Sequence, residues 1–209
     1  IYHKVYDLDN IKLAFKNAMK GKNHYNEVIN IKANIGLYIE DLHNLLKNRK
    51  FQNGKYEIFE KVSGNKTRII YKLPFYPDRV VHHCILQVIG EVWIKSLITD
   101  TYSTIPKRGV HSCANKLKKV INKEEVKYCL KLDVKKYYPS IDNNILKIII
   151  RKKIKDKYLL ELIDNIIDSE KGIPIGNYIS QWFGNLYLNY FDHYVKNELK
   201  IKYYFRYCD

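Results

Sequence analysis

The stretch Lys131-Leu132-Asp133-Val134-Lys135-Lys136-Tyr137-Tyr138-Pro139-Ser140-Ile141-Asp142 decides how the chain is read. Just ahead of it and into it, Val126, Tyr128, Leu130 and Leu132 are β-compatible residues at alternate positions, the pattern of a half-buried strand. Such a strand delivers Asp133 at its C-terminal end. Tyr137-Tyr138 then breaks the alternation, and Pro139, with no N–H to donate, ends the ladder. Ser140 or Asp142 is suited to cap the helix that follows, because a short side-chain oxygen accepts from the free N–H groups of a first turn. A carboxylate at a strand end, beside a tight turn with free N–H groups, suits a metal and a phosphate in one place.

Working outward, a second acidic strand end closes the chain: Lys202-Tyr203-Tyr204-Phe205-Arg206-Tyr207-Cys208-Asp209. Its aromatic content is typical of strands. Two strands that present an Asp at the same edge can hold a pair of Mg²⁺ ions between them, the geometry for in-line displacement at phosphorus. Either aspartate alone equally fits an ordinary strand-end turn.

Asp133 with Tyr137-Tyr138, and Tyr207-Cys208-Asp209, resemble the A and C motifs of reverse transcriptases, whose C motif reads Tyr-x-Asp-Asp. Between them, Gly172-Ile173-Pro174-Ile175-Gly176-Asn177-Tyr178-Ile179-Ser180-Gln181 resembles the B motif. Most members read Gln-Gly-x-x-x-Ser-Pro there. The aliphatic Ile175 before Gly176, and Gln181 after Ser180, are similar to the reverse transcriptases of diversity-generating retroelements. Asp78-Arg79-Val80-Val81-His82-His83 and Lys107-Arg108-Gly109-Val110-His111 extend the resemblance over nearly the whole chain. Each motif is weak alone; their joint occurrence in the family's order is strong. The chain stops at the first Asp of the C motif and starts at Ile1, so the expectation is a fragment, inactive by itself.

The resemblance implies an α+β fold, with right-hand polymerase fingers and a truncated palm, the thumb absent. Residues 1–125 would carry the N-terminal helices and fingers, with part of the palm at about 78–125. Residues 126–209 would carry the palm with its A, B and truncated C motifs. The implied activity is RNA-directed DNA polymerisation of low fidelity, copying a template RNA into cDNA. Asp133 and Asp209 would be the catalytic carboxylates and, with the backbone carbonyl of Val134, the ligands of two Mg²⁺ ions. The N–H groups of Lys136 and Tyr137 would cradle the triphosphate, and Arg68 (Lys66 is a weaker match) would meet it from the fingers. Tyr138 falls at the steric gate that rejects a ribose 2′-hydroxyl. Ile175 and Gly176 would lie along the nascent base pair, where an aliphatic side chain removes hydrogen-bonding groups from the fidelity check. Lys107, Arg108 and Gly109, with Ser180 and Gln181, would touch template and primer. The implied partners are an RNA template, a DNA or RNA primer, dNTPs and a small basic accessory variability protein. Alternatives are a defence-type bacterial or a group II intron reverse transcriptase, although the intron enzymes carry Ser-Pro where this chain has Ser180-Gln181, or a non-catalytic RNA-binding module. Tyr138 also fits a core aromatic, and Arg68 a solvated hairpin residue.

Composition agrees with such partners. The 209 residues carry 37 Lys+Arg against 22 Asp+Glu, a formal net charge of +15, which favours a polyanion. The 19 Tyr and 7 Phe offer flat surfaces for bases; an AT-rich genome would also over-use Lys and Tyr codons. Cys84, Cys113, Cys129 and Cys208 form no C-x-x-C pair, which argues against a zinc knuckle or disulfide framework and for a reducing, cytoplasmic setting. No apolar run approaches a membrane span, so no membrane partner is expected.

Along the chain, apolar periodicity predicts helices over Asp7–Lys20, Glu27–Lys50, Arg79–Ile98, His111–Asn122, Asn143–Lys153, Lys157–Ser169 and Tyr178–Lys200. Phe51 to Tyr71 reads as a β-hairpin turning at Ser63-Gly64-Asn65-Lys66. Asp78 is placed as a helix cap. The adjacent His82 and His83 diverge by about 100° on a helix and poorly share one metal ion. Asp192 and His193 read as surface or core-satisfied residues.

Overall fold

The computed structural model describes residues 1–64 and 66–209, and their side chains except those of Ser63 and Lys66. It is a mixed helix-and-strand protein. Asn65 of the expected hairpin turn, and the Lys66 side chain, lie outside the described residues.

The N-terminal layer is helical. After α1 (Tyr2–Val5) comes α2 (Leu8–Ala18), capped by Asp7, whose Oδ1 accepts from the N–H groups of Asp9 (3.0 Å) and Asn10 (3.2 Å). The single helix expected over Glu27–Lys50 is two, α3 (Asn26–Ala33) and α4 (Ile35–Lys47). Asn34 between them leaves the helical region at φ −132°, ψ 34°. Apolar spacing continues across Asn34, but asparagine competes with the helix for its own backbone.

The hairpin forms as expected from β1 (Glu57–Ser63) and β2 (Lys66–Lys72), antiparallel, with Lys61 opposite Arg68. Next, α5 (Val80–Ser96) runs through the core and buries Val80 to Leu86, Ile89, Gly90 and Trp93. A polar ladder fixes α2 against it. Asn10 Nδ2 donates to the Cys84 carbonyl (3.1 Å), Gln87 Nε2 donates to Asn10 Oδ1 (2.8 Å), and Asn17 Nδ2 donates to Gln87 Oε1 (2.9 Å). Half-buried polar groups satisfied in this way set the register of two otherwise apolar faces. Asp78 does not cap α5. It is buried, and its Oδ1 accepts from the Gly54 N–H at 2.8 Å.

Beyond α5 come β3 (Thr101–Tyr102), α6 (Val110–Ile121), the single turn α7 (Tyr137–Ser140), α8 (Asn143–Lys153) and α9 (Lys157–Ile167). Asp142, not Ser140, caps α8 by accepting from the N–H groups of Asn144 (2.8 Å) and Ile145 (3.0 Å). The long helix expected over Tyr178–Lys200 is interrupted at Leu188 into α10 (Ser180–Tyr187) and α11 (Asn189–His193), followed by a wide helical turn over Tyr194–Glu198. Phe191 and Tyr194, apolar-rich positions of this stretch, are about half exposed. Leu146, Ile150, Ile163 and Phe183 belong to the same buried cluster as α5, on which the Trp93 ring lies 6.2 Å from Trp182 and 6.0 Å from Phe183. The resulting buried cluster runs from Tyr2 to Leu186.

The main departure concerns the strand expected over Val126–Leu132. Residues 126–134 have no regular structure, and Tyr128, Leu130 and Leu132 are 93%, 82% and 69% exposed. Alternation marks a segment able to sit in a sheet, but a strand exists only when a neighbour accepts its ladder. The aromatic C-terminal segment likewise contributes only β4 (Arg206–Tyr207), which pairs in parallel with β3. Among the described residues no helix is long and apolar enough to cross a membrane.

Trp93→Ala should cost about 3–5 kcal/mol, the range for emptying a large aromatic site in a core. In urea denaturation this appears as a lower midpoint with an unchanged slope.

Candidate active site

The turn after residues 126–134 begins at Lys136, which is left-handed at φ 52°, ψ 42°, and passes at once into the helical turn α7. A left-handed residue followed by a helical turn directs successive N–H groups to one side, a concavity suited to an anion. The two tyrosines divide. Tyr137 is buried and its hydroxyl donates to the Gly184 carbonyl of α10 at 2.6 Å, so Tyr137 is the core aromatic. Tyr138 is half-buried, with its ring edge-on to Tyr137 at 5.3 Å. Both rings lie on Gly184: a Cβ there would sit 3.1 Å from Tyr138 Cε1 and 3.3 Å from Tyr137 Cε1.

The C-terminal aspartate acts electrostatically on both tyrosines. The Tyr138 phenol is pushed up to about 12, first by burial and then by the nearby Cys208 and Asp209, with Arg206 opposing. Burial chiefly, with Asp209 adding, also raises Tyr137. Asp209 therefore shares an electrostatic neighbourhood with the turn that follows Asp133. What holds it there is Arg206, whose guanidinium is buried against the fully buried Asp192: Nη2 lies 2.7 Å from Oδ2 and Nε 2.8 Å from Oδ1. Tyr204 (2.7 Å) and Thr101 (3.1 Å) also donate to that carboxylate. The guanidinium donates further to Asn185 Oδ1 (3.0 Å) and to the Cys208 carbonyl (2.5 Å). Cys208 is left-handed at φ 65°, and its thiol reaches Ser103 Oγ at 3.1 Å.

The loop from Gly172 to Asn177 joins this turn to the hairpin. Gly172 has φ +71°, and a Cβ would lie 2.6 Å from the Pro139 carbonyl oxygen, so only glycine permits the approach. Beside it, the Ile173 N–H donates to the Tyr138 carbonyl at 2.9 Å. At the other end, the Ile175 carbonyl accepts from the Tyr71 N–H of β2 at 2.8 Å, and a Cβ on Gly176 (φ +129°) would meet the Tyr71 carbonyl oxygen at 2.6 Å. Asn177 Nδ2 donates to the Tyr56 hydroxyl at 2.9 Å.

The remaining expected residues fall as follows. Asp133 and Val134 are exposed in the irregular segment, and Arg68 is exposed on β2. Ser180 is buried, its hydroxyl donating to the Pro174 carbonyl at 2.7 Å. Exposed Gln181 accepts from Thr104 Oγ1 at 3.1 Å, which ties α10 to the loop that carries Lys107, Arg108 and Gly109. In that loop Lys107 is exposed and left-handed (φ 65°), Gly109 is exposed, and Arg108 Nη1 donates to the Ile98 carbonyl at 3.0 Å. Asp133 and Asp209 are not linked by strand pairing, because the two expected strands do not form a common sheet. Neither carboxylate is taken up by a salt bridge among the described residues. Two free carboxylates and a peptide carbonyl are an all-oxygen donor set, which fits a hard cation such as Mg²⁺. No cluster of three or more His, Cys, Asp or Glu able to hold a metal exists among the described residues.

Sequence reasoning passed over Arg206 and Asp192 as functional supports. The signal was present: each is a lone charge within an aromatic run, Tyr203-Tyr204-Phe205-Arg206-Tyr207 and Tyr190-Phe191-Asp192. A buried charge is tolerated only when paired.

No family model matches the chain. At 23% identity over 137 residues it is similar to Protein YkfC of Escherichia coli (strain K12); the match covers 59% of this chain and 36% of that protein. At 23% identity over 158 residues it is similar to the uncharacterized 91 kDa protein in the cob intron of Schizosaccharomyces pombe, covering 70% of this chain and 19% of that protein. The chain thus spans well under half the length of either relative.

Asp192→Asn should lose about 3–5 kcal/mol, because it leaves the Arg206 charge buried without its counter-charge. Thermal denaturation checks the stability. Mass-spectrometric mapping of alkylation should find Cys208 modified faster than in the parent protein.

Proposed function

We propose that the protein carrying this chain is an RNA-directed DNA polymerase, a reverse transcriptase with fingers in residues 1–125 and palm in 126–209. The observation that most supports this reading is the convergence of three separate stretches: the Tyr137-Tyr138 turn, the Gly172–Asn177 loop, and the strand end at Asp209. They are far apart in sequence, and each resembles a polymerase motif, in the family's order. The net charge of +15 and the similarity to a protein found in an intron point the same way.

In this reading Asp133, Asp209 and the Val134 carbonyl hold two Mg²⁺ ions. When bound, these supply charge neutralisation at the triphosphate and a lowered pKa for the primer 3′-hydroxyl. The chain's own groups do the positioning. The N–H groups of Lys136 and Tyr137 receive phosphate oxygens in the concavity made by the left-handed Lys136. Arg68 approaches the triphosphate from the hairpin and can clamp two oxygens at once. Tyr138 is held by its packing on Gly184, so a sugar resting on its ring meets a fixed wall that a 2′-hydroxyl would strike. Ile175 and Gly176 border the new base pair, Gly176 offering backbone without side chain. Ser180 maintains the loop from within, and Gln181 with Lys107, Arg108 and Gly109 lies along the template–primer path. The working complex contains an RNA template, a primer and dNTPs.

Ile175 and the Ser180-Gln181 pair favour a diversity-generating retroelement, with copying errors as its output and a small basic accessory protein as partner. The similarity to the intron protein favours a second reading, an intron-type enzyme of the same class.

RNA-templated dNTP incorporation in Mg²⁺ tests the class. The protein should extend a primer, and Asp133→Ala should lower extension by about 10²-fold or more. RNA binding with no extension under any template and primer would leave a binding module instead. Sequencing of the products tests the subtype: Ile175→Gln should reduce misincorporation at template adenines in a retroelement enzyme, whereas an unchanged error spectrum favours the intron type.

A further inference from the structure

The base of the hairpin and the loop from Gly172 to Asn177 are joined by a chain of polar side chains that runs on into α9. Resting on the polymerase reading, we propose that Tyr56 and Asn177 are positioning residues for the incoming nucleotide. Their hydrogen bond fixes the hairpin, which carries Arg68, against the loop, which carries Ile175 and Gly176. In that reading Arg68 meets the triphosphate while Ile175 and Gly176 border the base. One joint therefore sets the spacing between the contacts to the two ends of one dNTP.

The direction of the chain follows from its proton count. Ser169 Oγ lies 2.7 Å from the Ile166 carbonyl, which can only accept, so the serine proton is committed there. In the 2.8 Å contact between Tyr56 and Ser169 the phenol is therefore the donor. Its oxygen is left to accept, and Asn177 Nδ2 donates to it at 2.9 Å. Ile166 lies in the last turn of α9, where carbonyls lack partners within the helix; Ser169 supplies one and anchors the chain on a packed element. Asn177 is 9% exposed, and half-buried Tyr56 sets its ring edge-on to Tyr71 at 5.6 Å. Tyr71 in turn donates its N–H to the Ile175 carbonyl at 2.8 Å. Among the described residues these two hydrogen bonds, Asn177 to Tyr56 and Tyr71 to Ile175, join the hairpin base to the loop.

The rest of the base is fixed to other elements. Ahead of β1, the Asn53 N–H donates to Asn165 Oδ1 of α9 (3.0 Å), and the Gly54 N–H donates to the buried Asp78 (2.8 Å). The two arms close on each other through their ladder and through the exposed Lys72–Glu57 pair at 2.7 Å, and neither reaches the loop. Of the two bonds that do, only the one between Asn177 and Tyr56 is made by side chains. It can be removed without touching the backbone. A ligand that must touch both hairpin and loop binds more weakly when their spacing is not preset. The chain of bonds includes neither Asp133 nor Asp209, so its loss falls on nucleotide binding rather than on the chemical step.

The test is single-nucleotide extension of oligo(dT) on poly(rA) by the full-length protein, titrated with dTTP, alongside amide hydrogen exchange. Tyr56→Phe keeps the ring and removes the hydroxyl. Its KM for dTTP should rise about tenfold with kcat held within about twofold, the mark of lost binding rather than a lost transition-state contact. Asn177→Leu should do the same, and the double variant should be no worse than either alone, because both remove one bond. Ser169→Ala leaves that bond in place and should raise KM by about threefold or less. In Tyr56→Phe the Tyr71 amide, bonded to Ile175, should exchange about tenfold faster while amides within α5 keep the parent rate. Parent KM in folded Tyr56→Phe would overturn the proposal. So would a fall in kcat with KM unchanged, or faster exchange spread over the whole molecule. Should Asn177→Leu fail to fold, Tyr56→Phe and Ser169→Ala decide between them. A parent protein that extends no primer removes the polymerase reading; faster exchange confined to Tyr71 and its neighbours then keeps the joint, and parent exchange there removes it too.

Discussion

The geometry around Asp209 depends on one buried ion pair. Asp192 has no exposure, and Arg206 is almost as deeply buried. In so poorly solvated a place a carboxylate survives only if every lone pair finds a donor, and here Arg206, Tyr204 and Thr101 supply them. The other face of the guanidinium reaches Asn185 and the Cys208 carbonyl. Four elements, β3, β4, α10 and α11, are thereby referred to a single charge. The main apolar cluster ends at Leu186 and does not include β3 or β4. Directional bonds do there what interdigitated side chains do elsewhere, and they fix angles that apolar packing leaves loose.

The loop from Gly172 to Asn177 is a joint with a glycine at each bearing. Gly172 lets the backbone touch the Tyr137-Tyr138 turn, and Gly176 lets it touch β2. Both glycines occupy conformations that L side chains avoid, so their identities follow from contact distance as much as from dihedral angle. Pro174, between them, receives the buried Ser180 hydroxyl, which draws the loop onto the start of α10.

Much of this was legible in the sequence because it is local. The helices α2, α5, α8 and α9 follow from periodicity; Asp7 and Asp142 act as caps because cap chemistry spans three residues. The hairpin follows from two β-rich runs around a Gly-Asn turn. What the sequence did not disclose is long-range. Alternation in Val126–Leu132 specifies two faces but not a neighbour, and the segment stays unpaired. Asn34 and Leu188 interrupt helices whose apolar spacing runs on unbroken. Asp192 and Arg206 read as separate local charges, and only the fold makes them one interaction. The Tyr137-Tyr138 pair was ambiguous until packing on α10 separated a core ring from a half-buried one.

The hydrogen bond from Tyr71 to Ile175 bears on how the hairpin can vary. Its far end carries exposed Val62 and Gly64 and, among the described residues, no bond to the loop, so added or lost residues there change how far the hairpin projects. Its near end is held on both arms, by the Tyr71 N–H on the Ile175 carbonyl and by the Asn177 side-chain amide on the Tyr56 hydroxyl. A single-residue slip at Tyr71 would swap which side chains face the loop and break the close approach at Gly176. Length variation is therefore absorbed at the tip, while the base keeps its register.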